Sequence, residues 1–197
     1  MAQAVALTLT LGPLTSRSDA TDPLATTRAE WLADKRTDPL DLRIAAEADK
    51  ARTAAARGDC VVALRAAEAV LVENPFQLAA LEAQARCAGA ETAGPSAARR
   101  DAILRLIEQS GTGADVFGPW HVMSWTEPFE FLRLTQREPL SHQIGCGRTE
   151  HVIITARDAA GATRRYYFDI HEPYRACRSR SSCRVEDREI PCTIAVR

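Results

Sequence analysis

The break at Gly111-Thr112-Gly113 constrains the fold of this chain most. Before it the sequence is alanine-rich and carries helix start and stop signals; after it come Trp120, Trp125, Phe129, Phe131, Tyr166, Tyr167 and Phe168, aromatics that the first part mostly lacks. Helical signals followed by strand signals predict an α+β protein: four or five helices over residues 22–110, packed on a small antiparallel β-sheet within residues 111–197. Residues 1–21, rich in Thr, Ser and Ala without helical spacing, form a separate N-terminal tail or an added strand.

Local signals place the elements. Asp22-Pro23 and Asp38-Pro39 each pair an N-cap with a proline at the first helical position. The second helix stops at Gly58, Asp59 caps a third that runs through Glu73, and Asn74-Pro75 ends it. A fourth helix carries Leu78, Leu81, Ala85 and Ala88, and a fifth, entered at Gly94-Pro95-Ser96, carries Ile103, Leu106 and Ile107. Beyond the break, a short helix is expected from Thr126 through Leu134. A hairpin should then turn over Asp158–Gly161, with Val152, Ile154 and Ala156 alternating on one strand and Tyr166, Phe168 and Ile170 sharing a face of the other, so that one face of the pair is core.

The segment from Gly58 to Pro75 has tetratricopeptide-like (TPR-like) spacing, with Ala63 and Ala67 letting two helices approach closely; only this one unit is convincing. The plain alternative is an alanine-rich helical hairpin packed on the sheet.

Six cysteines, Cys60, Cys87, Cys146, Cys177, Cys183 and Cys192, contain no C-x-x-C. If the third and fourth helices fold back about Asn74, residues whose numbers add to about 147 lie at one height, as Cys60 and Cys87 do. The same reasoning on the β-hairpin sets Cys146 opposite Cys177 and leaves Cys183 and Cys192 to bracket a loop. Zinc fits poorly, because intervals of 30, 5 and 8 residues among the last four cysteines do not make paired knuckles. No metal and no cofactor are expected.

Catalytic signals are sparse. Cys146 lies between two glycines, with His151 and Asp169 expected nearby, the residue types of a thiol nucleophile and its base. A Gly-flanked cysteine at a strand end serves a disulfide equally well. Neither G-x-S-x-G nor a phosphate loop occurs. The net charge of −1 removes the global basic field that non-specific nucleic-acid binding uses, and no apolar run is long enough to span a bilayer. That charge divides unevenly: residues 1–130 carry 13 basic and 18 acidic groups, residues 131–197 carry 12 and 8. Arg175, Arg178, Arg180, Arg184 and Arg188 form a basic terminal loop, the best sequence-level candidate for charge-driven recognition of a partner.

Taken together, A-L-x-x-A-E at Ala63–Glu68, the Ser110-Gly111-x-Gly113 junction, V-x-S-W-x-E from Val122 to Glu127 with Phe131-Leu132, and Tyr167-Phe168-Asp169-Ile170 resemble a bacterial family known as domain of unknown function 4919. The resemblance covers roughly residues 40–171. It implies a TPR-like helical half followed by a small sheet and carries over no catalytic residue.

The expected function is a non-catalytic, exported protein-binding module, with an immunity protein or inhibitor of a toxin effector as the particular form. The alternatives are a hydrolase or thiol enzyme using Cys146, His151 and Asp169, and a cytosolic TPR-like adaptor. The N-terminus lacks a basic region, and Gly12-Pro13 interrupts the apolar stretch Val5–Leu11, so no intact signal peptide is read. The cysteines favour a periplasmic or secreted mature form from which a signal has been removed.

Overall fold

The computed structural model describes residues 22–146 and 150–178. The helical part comprises α1 (Pro23–Ala33), α2 (Leu42–Ala56), α3 (Cys60–Glu73), α4 (Leu78–Cys87) and α5 (Ala90–Gln109). The second part comprises β1 (Trp120–His121), α6 (Glu127–Leu134), β2 (Glu138–Cys146), β3 (Glu150–Arg157), β4 (Thr163–Asp169) and α7 (His171–Arg178). The α+β class expected from the sequence is the class observed.

Several boundaries follow from caps. Asp22 accepts the Leu24 N–H at 2.8 Å and Asp59 accepts the Val62 N–H at 3.2 Å, so α1 and α3 begin where the sequence places them. α2 begins later than Asp38-Pro39 suggests. Asp41 is its cap, accepting the Arg43 N–H at 2.7 Å, while Asp38 makes a turn by accepting from Leu40, and the Pro39 carbonyl accepts the Trp125 N–H at 3.2 Å. Two aspartates three residues apart compete for one cap, and the tertiary bond to Trp125 settles which is used. α5 starts at Ala90, ahead of Gly94-Pro95, because a proline one turn inside a helix removes a single backbone bond and need not end it.

The sheet has order β1-β4-β3-β2. β2–β3 and β3–β4 are antiparallel, whereas β1 runs parallel to β4 through Trp120–Phe168 and His121–Asp169. The wholly antiparallel sheet expected from sequence is therefore mixed, because the chain reaches β1 from α5 and must cross two further strands before β4 forms beside it. In the β3–β4 hairpin Val152 faces Phe168 and Ile154 faces Tyr166, as the alternation predicts.

The glycines of the break have steric work. Gly113 has φ 65°, and a Cβ there would lie 2.5 Å from the Trp120 ring; one on Gly111 would lie 2.2 Å from the Pro119 carbonyl oxygen. Trp120, thus seated, packs against Phe131 at 4.8 Å and Phe168 at 5.4 Å between ring centroids.

Two cores result, and α4 belongs to both. Its Leu78 and Leu81 join Ile103, Ile107, Phe131, Val152, Ile154 and Phe168 under the sheet, so the helical and sheet parts share one core. Its Ala79, Ala80 and Ala83 join a second cluster made almost entirely of alanines from α2, α3 and α4, with Val70 the one larger fully buried side chain. A buried methyl contributes about 0.8 kcal/mol against 1.5–3 kcal/mol for a leucine or phenylalanine. The second core is therefore weak for its size, and a covalent link reinforces it: Cys60, at the start of α3, is bonded to Cys87, at the end of α4. With the two cysteines 27 positions apart in sequence, replacing both by alanine should lower the unfolding free energy by about 3 kcal/mol. Denaturant titration of the double variant measures this; a loss below about 1 kcal/mol would show that helix packing alone sets the hairpin.

Candidate functional site

α2 packs on α3, α3 on α4, α4 on α5, and α2 also on α4, the arrangement of two successive helical hairpins. α6 packs on α4. Between α2, α4 and α6 runs a groove with two adjoining lobes of about 190 and about 200 Å³ that share Arg52, Ala79, Glu130 and Arg133. One lobe continues to Arg86 and Glu82, the other to Trp125, Phe129 and Leu42.

The floor is Glu130, only 6% exposed, whose Oε2 accepts the Ala79 N–H at 3.1 Å. A side chain from α6 thus caps the first turn of α4, which lacks a capping side chain of its own. Burial pushes the Glu130 carboxyl up to about 8, and the neighbouring Glu127 carboxylate pushes the same way; the Ala79 N–H, Arg133 and Arg52 oppose the shift without cancelling it. Glu127 is held separately. Arg28 of α1 donates through Nη2 to both of its oxygens at 2.8 and 2.9 Å, and the Met123 N–H donates to Oε2 at 2.6 Å.

Around that floor lie charged walls. Arg52 donates to Asp49, and Glu82 is held between Arg86 and Arg100. Arg133 is exposed and has neither an ion-pair nor a hydrogen-bond partner among the described residues. At the other end Trp125 and Phe129 stand 6.3 Å apart, and the His142 ring meets both edge-on at 6.0 and 5.3 Å. Leu42, 63% exposed, forms the rim.

The residues singled out in the sequence fall elsewhere. His151 and Asp169 are cross-strand partners on β3 and β4, while Cys146 pairs in register with Glu150, so Gly145 is the β2 residue opposite His151. The expected pairing of Cys146 with Cys177 falls on a Cys146 side chain outside the described residues. Cys177 lies on α7. It is disulfide-bonded; Cys183 and Cys192 also lie outside the described residues.

Arg175 is on a helix and not in a loop: the Asp169 carboxylate accepts the His171 N–H at 2.8 Å at the start of α7, and Arg175 pairs with Glu172 at 2.9 Å. The side chain of Arg178 and all of Arg180, Arg184 and Arg188 lie outside the described residues. No group of three or more His, Cys, Asp or Glu suited to a metal occurs among the described residues, and none of the described helices is long and apolar enough to cross a membrane.

Sequence reasoning missed Arg52, Arg86, Glu130 and Arg133. One signal was available: Glu127 and Glu130 each lie four residues before an apolar residue, Phe131 and Leu134, and so fall on the core-facing stripe of α6. Carboxylates on such a stripe mark a buried polar contact. No family model, curated protein or solved structure matches the chain.

Proposed function

We propose that the chain is a non-catalytic protein-binding module that works outside the cytoplasm, in the manner of an immunity protein or inhibitor that occludes a toxin effector. The observation that carries the reading is the groove between α2, α4 and α6, a concave face on two packed helical hairpins with an aromatic end and a guanidinium-lined end. Such a face offers a partner apolar area and directional polar contacts together. The Cys60–Cys87 bond supports an oxidising compartment. The α+β architecture is also what the resemblance to domain of unknown function 4919 implies, and we propose membership on that ground.

Site-directed photo-crosslinking in the native host tests the proposal. A benzophenone amino acid at Leu42, on the groove rim, should give one discrete protein adduct. The same group at Val61, on the outer side of α3 and 72% exposed, should not. Equal labelling from both positions, or none from Leu42, would remove the groove as the binding face.

A further inference from the structure

We infer that the groove receives a segment of the partner that carries acidic side chains beside a large apolar or aromatic one. The inference rests on the protein-binding reading and adds the chemistry of the partner. It follows from an imbalance between donors and acceptors on the groove walls.

A guanidinium has five N–H donors and no acceptor. Arg52 directs its Nε and Nη2 to Asp49, and Arg86 directs its Nε to Glu82. Nη1 of Arg52, both Nη atoms of Arg86 and every donor of Arg133 have no hydrogen-bond partner among the described residues. The acidic groups are by contrast largely engaged: Asp49 Oδ1 by Arg52, both oxygens of Glu82 by Arg86 and Arg100, and Glu130 Oε2 by the Ala79 N–H, which leaves Asp49 Oδ2 and Glu130 Oε1 without a hydrogen-bond partner among the described residues. The groove thus has donors left over and few free acceptors, and carboxylates held in a fork geometry satisfy that surplus.

Next to these donors, in the lobe that shares Arg52 and Arg133, the faces of Trp125 and Phe129 and the exposed Leu42 form an apolar seat. The two ends lie on one continuous groove, so acidic and apolar groups must be close together in the ligand. A nucleic acid would also bring anions and stackable rings. The first 130 residues carry five more acidic than basic groups, however, which repels a long polyanion while leaving a local arginine cluster able to hold a short acidic segment.

The test is selection of a displayed random peptide library on the full, disulfide-bonded chain, followed by anisotropy titration of a labelled synthetic copy of an enriched peptide. Enriched sequences should place Asp or Glu within a few positions of Phe, Trp or Leu. Arg133→Glu should weaken binding by at least about tenfold, as should exchange of the peptide's acids for amides, and Leu42→Asp should weaken it too. Both variants change exposed side chains, and their melting curves are compared with that of the parent to show that they fold.

Binding should also weaken on raising NaCl from about 50 to about 300 mM. Enrichment of peptides without acids, unchanged affinity in Arg133→Glu, no enrichment, or displacement of the peptide by a short single-stranded oligonucleotide would each overturn the inference. The Leu42 crosslink is read independently: an adduct whose captured segment lacks acids ends this inference and leaves the protein-binding reading standing, whereas absence of the adduct ends that reading itself.

Discussion

Glu130→Gln should make the protein more stable at alkaline pH, by up to about 5 kcal/mol at pH 9, while leaving it nearly unchanged at pH 4. The Glu130 carboxyl is raised from 4.5 in the free side chain to about 8 in the fold, chiefly by burial and further by Glu127. Between those values the folded chain holds a proton that the unfolded chain has released, so stability falls as pH rises through that window. The contribution of the protonated carboxyl is fully present below about pH 4.5 and is lost as the solution passes pH 8. The groups facing it, Glu127 and Arg133 on α6, Arg52 on α2 and the Ala79 N–H on α4, are already included in that balance.

Glutamine is neutral throughout and keeps an oxygen to accept the Ala79 N–H, so it removes the alkaline loss without uncapping α4. Guanidinium denaturation at intervals from pH 4 to pH 9 compares the two curves. A parent whose stability is flat over that range, or a variant less stable than the parent at pH 8, would show that the carboxyl is ionised in the fold.

The second large effect concerns the bridge between α1 and α6. Arg28→Ala should lower stability by about 3–5 kcal/mol, because it leaves the Glu127 carboxylate charged in a site only 2% exposed, with the Met123 N–H as its remaining hydrogen bond. Glu127→Ala should cost about as much, since Arg28 is itself 5% exposed and its Nη1 already has no hydrogen-bond partner. Replacing both together, as Arg28→Met with Glu127→Leu, should cost far less than the two single losses combined, because the pair then leaves no unmatched charge. A double-mutant cycle by chemical denaturation reads the coupling directly; additive losses would mean that the two side chains act through separate contacts. Since the pair spans 99 residues, its loss should free α1 before the sheet core melts, detectable as early hydrogen exchange in residues 23–33.

These interactions also show what was legible beforehand. Elements whose signals are local could be read: the Asp22 and Asp59 caps, the stop at Gly58, the Asp158–Gly161 turn, and the Cys60–Cys87 pairing, which needs only that two helices fold back on one another. β2 was not read as a strand, because Pro139, Ser141, His142 and Gln143 give an edge strand with little apolar alternation, and only its pairing with β3 makes it one. α7 was hidden by its polarity and by Pro173 in its first turn. The groove was least legible. Its walls come from segments dozens of residues apart, and the burial of Glu130 depends on the Ala79 N–H, 51 positions away, which no local window contains.

On the protein-binding reading proposed above, the alanine core has a consequence for selectivity. Where α2, α3 and α4 meet through Ala48, Ala51, Ala63, Ala67, Ala80 and Ala83, the separation of the helices is set chiefly by methyl groups. These methyls act as shims: they fix how far apart α2 and α4 stand, and hence the width of the opening on their other side. A valine at Ala67 or Ala80 would never touch a partner, yet by wedging the helices it would alter which side chains the opening admits. In that reading, discrimination is written partly in the smallest residues of the fold.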